Sequence, residues 1–515
     1  MLPDRALLLR AAYEAVDRGR FADALAPCRT LLAADPADAD ARLLAGLARG
    51  ALGQAAAAAR LLDRVARARP DAAHPAHDLA ALLVRLGRPE AAAAQYRAAL
   101  RRAPGNAALR RGLAHHLLQT ETPAAAAAAL GPPGPEAAGQ HLAGLIAAEA
   151  GEIDAAIAHF RAAVAADPGP AAGWSNLGIM LKLTGDFDAA LAAHEAAVAR
   201  APGDAQLRVN RAVALLHAGR WTAAWGEYEW RLRLPGHTPL PLARLLPALA
   251  EAGDLAGRTV LLTHEEGFGD TLQFLRYAPL LAARGARVRL AVPPPLARLV
   301  AGVAPLAEAG EAYDFHCPFF SLPRVFATTP ATIPAPIPYL RADPAAVARW
   351  RARLAGLGPG PRIGLVWAGQ ARPWLPGFTT LNARRSARLA DFAPLAGARA
   401  VFVSLQAGPE AAEAAAPPPG LGLFDPMGAV RDFADTAAIA AALDLVISVD
   451  TAMVHLAGAL GVPVFLLDRL DHCWRWLPGR ADSPWYPGLR IFRQTRIADW
   501  SGPMAAIAAA LPGQG

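Results

Sequence analysis

Residues 174–202 read WSNLGIMLKLTGDFDAALAAHEAAVARAP. Gly178, Ala190 and Ala197 are small where two antiparallel helices would cross closely, Leu177 and Leu181 fill the groove between them, and Pro202 stops the second helix. This is one helix–turn–helix unit, and its stride recurs. Pro168 and Pro202 lie 34 residues apart, as do Pro36, Pro70 and Pro104. The preceding unit carries Gly144, Ala156, Phe160, Ala163 and Pro168 at equivalent offsets, and Asp35-Pro36 and Asp167-Pro168 close their helices alike. A fixed period of this kind predicts an α-solenoid of stacked helical pairs, each burying its apolar face against its neighbours.

Trp174, Leu177, Gly178, Ala190, Ala197 and Pro202, with Leu181 and His194 at the remaining aromatic positions, match the tetratricopeptide pattern. The array is expected over residues 1–235, as about seven units. One unit is degenerate: residues 109–139 hold an alanine run and Gly131-Pro132-Pro133-Gly134-Pro135, which predicts a shortened or irregular repeat.

Composition narrows what the rest can be. The chain has 515 residues, long enough for about three domains. No apolar run approaches the ~20 residues needed to cross a bilayer. Asp4, Arg5, Arg10, Glu14 and Asp17 break up any signal-peptide core, so a cytoplasmic location is expected. The three cysteines, Cys28, Cys317 and Cys473, show no metal or disulfide spacing and read as buried thiols. The formal charge is +7, but Lys182 is the only lysine, and the arginines are spread without a long run or an aromatic platform. A nucleic-acid partner is therefore not expected.

After Pro235 the sequence changes character. Residues 236–257 read as a linker or capping segment. Then Arg258–His264 is a short apolar strand, 265–270 a glycine-bearing turn, and Thr271–Arg284 an amphipathic helix ending at Gly285, before a second strand in ARVRLAV. A proline-rich passage over 323–338 precedes a second series. It holds RIGLVWAG (362–369), ARAVFVSLQ (398–406), LDLVISVD, the helix TAMVHLAGALG and the strand VPVFLLD. Strands alternating with helices predict parallel sheets covered on both faces. Two Rossmann-like halves follow, 258–345 and 346–515, facing a cleft at the carboxyl ends of their strands.

Four clusters fall at those ends. In Glu266-Gly267-Phe268-Gly269-Asp270-Thr271 the glycines permit a tight strand-to-helix turn. The helix N-terminus suits an anion, and Asp270 either projects into the cleft or caps the helix. In SVDTAMVHLAG, Thr451 and the following backbone N–H groups suit a diphosphate, Asp450 a sugar hydroxyl, and His455 a phosphate or sugar. The alternative is a capping Asp450 and a core histidine. Trp367-Ala368-Gly369-Gln370 is followed by a basic loop containing Arg384 and Arg385, which would balance a diphosphate or simply be solvated. The aromatic run with Trp474, Trp476, Trp485 and Tyr486 reads as packing, and Asp432–Thr436 as an N-cap segment.

The array followed by HEEGFGDTLQFLRYAPLLAARGARV, RIGLVWAG, FVSLQ, DFADTAAIAAALDLVISVDTAMVHLAGALGVPVFLL and DSPWYPGLRIFRQ resembles the bacterial tetratricopeptide glycosyltransferases. Their catalytic half is similar to the heptosyltransferases, glycosyltransferase family 9. The resemblance implies a GT-B transferase that inverts the anomeric centre, uses a nucleotide-diphospho-sugar as co-substrate, and needs neither cofactor nor catalytic metal. By motif position Asp270 is the general base, and the donor-binding set is Gly269, Thr271, Arg385, Asp450, Thr451 and His455. The family places a lysine after the WAG-like strand, where this chain offers Arg384 or Arg385 instead. A protein or peptide acceptor would be recruited by the array. The competing reading is a tetratricopeptide interaction scaffold whose GT-B half no longer catalyses.

Overall fold

The computed structural model describes residues 4–69, 73–85, 87–235, 240–334, 336–370 and 378–511. Pro70 and residues 236–239 of the expected linker lie outside the described residues. So does the stretch 371–377 between the WAG strand and the basic loop. The chain divides into two compact units, residues 1–180 and 181–515, so the repeat sequence runs past the division.

Seven helical pairs occur among the described residues. They are α1 (Arg5–Asp17) with α2 (Phe21–Ala34), α3 (Ala39–Ala51) with α4 (Ala55–Ala68), α5 (Ala73–Arg85) with α6 (Pro89–Arg102), α7 (Ala107–Thr120) with α8 (Pro123–Leu130), α9 (Ala137–Ala150) with α10 (Ile153–Ala166), α11 (Ala171–Leu183) with α12 (Phe187–Arg200), and α13 (Ala205–His217) with α14 (Trp221–Tyr228). The degenerate unit is α7 with α8, the latter only eight residues long. The turn within each pair explains the period. Gly19, Gly53, Gly87, Gly151, Gly185 and Gly219 all take a left-handed φ, between 69° and 82°. That conformation strains any residue with a Cβ. In the degenerate unit the corresponding position is Glu121, whose φ is −129°, and the regular turn is lost. Gly144 shows the close crossing: a Cβ there would lie 2.7 Å from the Phe160 ring.

Within residues 181–515 two parallel sheets follow the last repeats. The first has the order β2-β1-β3, from β1 (Thr259–Thr263), β2 (Arg287–Ala291) and β3 (Phe315–Pro318). Its helices are α15 (Phe268–Phe274), α16 (Ala278–Ala282), α17 (Pro294–Val300) and α18 (Leu322–Val325). The single helix expected over 271–284 begins earlier and breaks. Asp270 accepts the Gly267 N–H at 3.0 Å and so starts the helix at Phe268. Pro279, lacking an N–H, interrupts it, and the chain passes through one 3-10 turn before α16. The described part of the linker joins this sheet, for the Leu246 N–H donates to the His316 carbonyl at 2.8 Å.

The second sheet has six parallel strands in the order β6-β5-β4-β7-β8-β9. The elements run α19 (Pro344–Ala355), β4 (Arg362–Val366), α20 (Phe378–Arg385), β5 (Val401–Ser404), β6 (Leu423–Phe424), α21 (Phe433–Ala440), β7 (Leu445–Val449), α22 (Ala452–Leu460), β8 (Val464–Asp468), β9 (Leu489–Arg493) and α23 (Ser501–Ala510). β5 and β7 are buried at every position, as strands covered on both faces must be. The connections leave β4 toward one edge and β7 toward the other, so β4 and β7 flank the switch point where such sheets open a binding crevice.

One core joins the last repeats to both sheets of this unit. Trp221 stacks on Trp485 with ring centroids 5.7 Å apart, and Trp225 packs edge-on against Trp474. The Trp225 indole N–H donates to the Thr328 carbonyl at 2.7 Å. The aromatic run near the C-terminus is thus packing, as its composition suggested.

Candidate functional site

A cleft of about 810 Å³ opens at the carboxyl ends of β1, β4, β5 and β7. Six of the seven expected residues line it: Gly269, Asp270, Arg385, Asp450, Thr451 and His455. Thr271 does not. It is 1% exposed, and its hydroxyl is 2.8 Å from His264 Nδ1, so it braces the loop after β1 from behind. It follows Asp270 on a helix, so the two side chains point to different faces.

Asp270 both caps and faces the cleft. One oxygen takes the Gly267 N–H, and the other pairs with Arg475. Arg475 is largely buried and also donates to Gln273 Oε1 at 2.6 Å and Cys473 Sγ at 3.0 Å. Burial opposes its charge, and the neighbouring Cys473 and Asp270 more than restore it. No local pattern announces Arg475, a single arginine inside the tryptophan run.

Glu266, in the glycine-bearing turn after β1, lines the same cleft. Its side chain is accessible from the cleft but crowded by protein. That desolvation, then the charges of Asp270 and Glu265, push its carboxyl up to about 7, with Arg231 and Arg475 acting in the opposite sense. Glu265 faces away and binds Arg231 through both oxygens, at 2.7 and 2.9 Å.

Across the cleft, Thr451 rather than Asp450 caps α22. Its hydroxyl accepts the Met453 N–H at 3.3 Å and lies 3.1 Å from Ser448 Oγ. Asp450 is thereby left to face the cleft at the end of β7. Its charge is felt at Asp468, whose carboxyl is pushed up to about 7 chiefly by burial, against the ion pair with Arg493 at 2.8 Å. Ala452 and Met453 bring the first turn of α22 to the cleft, where the positive end of the helix dipole favours an anion.

His455 is the core-like histidine of the alternative reading and still borders the cleft. Its ring stacks on Trp476 at 5.5 Å, and Nδ1 is 3.0 Å from the Tyr486 hydroxyl. Burial first, then the charges of Arg475 and Arg276, hold it well below the usual imidazole range, so it is neutral. Its Cδ2–Nε2 edge lies against Gly269, where a Cβ would come within 2.7 Å of Cδ2 and 3.3 Å of the Ala452 Cα. Gly269→Ala should therefore wedge α15 from α22 and cost about 1–3 kcal/mol. A urea-unfolding midpoint that does not move would show that the two helices are not in firm contact.

Arg385 ends α20 and lies over Gly369, donating from Nε to Asn382 Oδ1 at 3.0 Å. Two further cations, Arg431 and Arg469, line the cleft without any motif to announce them. Gln406 shapes the wall: its Oε1 takes the N–H groups of Trp367 and Ala368 at 3.0 and 2.9 Å, and its Nε2 donates to the Ala368 carbonyl at 3.0 Å. Asp432 caps α21 as expected and binds Arg298 of α17 through both oxygens, tying the two sheet halves at the cleft rim. Lys182 does not line the cleft. Burial lowers its ammonium to about 8, against the attraction of Asp471.

A tetratricopeptide-repeat model matches residues 9–73, 77–131, 141–183 and 184–229. Residues 9–229 carry tetratricopeptide repeats. Protein FlbA of Caulobacter vibrioides is 31% identical to this chain over 325 residues, covering 57% of the chain and 52% of FlbA. The chain thus spans about half the length of that curated relative. Among solved structures, pilF of Pseudomonas aeruginosa is similar over 40% of this chain and 95% of its own, at 19% identity and a TM-score of 0.33. YrrB, described as a TPR protein with an unusual peptide-binding site, matches 42% of this chain and 92% of its own, at 20% identity and a TM-score of 0.24. No helix among the described residues is long and apolar enough to cross a membrane. The repeats give the chain the means to bind another protein.

Proposed function

We propose that the chain is a glycosyltransferase of GT-B type. It would transfer a sugar from a nucleotide-diphospho-sugar to a protein acceptor recruited by the repeats. What carries this reading is one arrangement: a carboxylate pair on the β1 side, Asp270 and Glu266, shares a cleft with Asp450, the first turn of α22 and four arginines, Arg385, Arg431, Arg469 and Arg475. Reading Asp270 as general base, the acceptor hydroxyl oxygen bonds to the anomeric carbon while the carbon–oxygen bond to the diphosphate breaks. The hydroxyl proton passes to the Asp270 carboxylate. The departing nucleoside diphosphate is met by the N–H groups of α22 and by Arg385, Arg431 and Arg469. Asp450 accepts from sugar hydroxyls. Neutral His455 offers Nε2 as a hydrogen-bonding group rather than a charge.

The test is thermal denaturation of the full chain with UDP-, GDP- and ADP-sugars, and a CMP-sugar as monophosphate control. A donor at 100 times its Kd stabilises by about 2.7 kcal/mol. One diphosphate donor should raise the melting temperature selectively, and Asp450→Ala should reduce that rise. No shift with any donor would instead favour an interaction scaffold without catalysis.

A further inference from the structure

We propose that an arginine-lined groove over the first two repeats binds an acidic peptide segment of a partner protein, with an apolar side chain of that segment seated between the arginines. The groove, about 240 Å³, is built from α2, α3 and α4 and lies wholly within residues 25–64. Arg29, Arg49, Arg60 and Arg64 line it, with Leu32 and Leu61 among its apolar residues. The helical period produces this: Arg60 and Arg64 share one face of α4, and Arg29 and Leu32 lie one turn apart on α2.

Two like charges at i,i+4 destabilise a helix, and among the described residues of these repeats no carboxylate offsets the pair. The nearby carboxylates are committed elsewhere. Asp38 and Asp40 bind Arg5 at 2.8 Å each, Asp40 also binds Arg69 at 2.7 Å, and Asp63 binds Arg67 at 2.9 Å. Among the described residues no carboxylate lies within ion-pair distance of Arg29, Arg60 or Arg64. Arg49 reaches only the neutral Gln54, at 3.2 Å, and its Nε is buried without a partner. The groove is therefore electropositive and internally uncompensated.

A peptide fits this chemistry better than a nucleic acid. No aromatic ring lines the groove to stack a base, and the apolar residues between the guanidinium groups suit an aliphatic side chain. Cys28 also lines the groove, but it is buried and its thiol is pushed up to about 11, chiefly by burial, which leaves it unreactive. The inference deepens the proposed function by naming the chemistry of the partner that the repeats recruit.

The probe is a fluorescein-labelled peptide of alternating glutamate and leucine, titrated with the full chain and read by anisotropy without any sugar donor. Failure here and failure of sugar transfer are thus separate results. Binding should weaken at least tenfold in Arg60→Glu/Arg64→Glu, be largely kept in Arg60→Lys/Arg64→Lys, fall with added salt, and be weaker for a glutamate-only peptide. Both substituted side chains, Arg60 and Arg64, are solvent-exposed, and an unchanged circular-dichroism melt will confirm that the variants fold. Equal binding by the charge-reversed variant, no binding by wild type, or tighter binding of a single-stranded oligonucleotide of matched charge would each overturn the proposal.

Discussion

Asp270→Asn should lower sugar transfer by about 10²–10⁴-fold, the range for loss of a positioned general base. The asparagine keeps the shape that caps Gly267, so nucleotide-sugar binding should survive. It leaves the Arg475 guanidinium without its carboxylate, so a modest loss of stability should accompany the loss of rate. Glu266 gives the same experiment a pH axis. Its carboxyl titrates near 7, so below that pH it is protonated and above it is charged. Ionised Glu266 would accept the acceptor proton itself, or take it onward from Asp270. In either case transfer should rise as pH passes upward through about 7, and the rise should disappear in Glu266→Gln. A wild-type profile flat across pH 6–8 would remove Glu266 from the chemistry, and full turnover by Asp270→Asn would remove Asp270.

Arg231→Met should destabilise residues 181–515 by about 3–5 kcal/mol, the usual result of removing one partner from a buried ionic network. Arg231 is 1% exposed and donates to Glu265 at 2.7 and 2.9 Å, to Glu229 at 2.8 Å, and to Ser321 at 2.8 Å. Burial alone would lower its pKa, and the charges of Glu229 and Glu265 hold it well above the ordinary guanidinium value instead. Methionine fills much of the volume but takes the guanidinium from Glu265, whereas Glu229 keeps Ser321 at 2.9 Å and Arg324 at 3.3 Å. A second substitution, Glu265→Gln, should recover part of the loss, because the stranded charge and not the missing volume carries the cost. Urea midpoints of the single and double variants decide this; a single variant within 1 kcal/mol of wild type would mean that the network is solvated. Because Glu265 immediately precedes Glu266, the single variant should also weaken donor binding.

Much of the repeat region was legible from residues 1–235, because a 34-residue stride leaves prolines and small residues in register. The glycines at the inner turns carried the same period, and Glu121 in their place marked the irregular unit more directly than the alanine run did. The strand-end motifs likewise placed Asp270 and Asp450 at one cleft, since each follows the carboxyl end of a strand, β1 in the first sheet and β7 in the second. What the sequence hid were contacts made over long separations. Arg475 lies 205 residues from Asp270, and no local spacing connects them. Thr271 misled for the opposite reason: adjacency in a motif is not adjacency in space once the chain turns into a helix.

The tryptophan packing beneath α14 changes what counts as a transplantable piece of this protein. The repeat motif invites a cut after residue 235, but such a cut would strip Trp221 and Trp225 from Trp474 and Trp485 and leave a sticky, apolar scar. A cut in the loop before α11, just ahead of the division at residue 180, spares that packing without breaking a helix. Shuffling of recognition arms among relatives, in nature or by design, would then keep the final repeats with the sheets and trade only what precedes them.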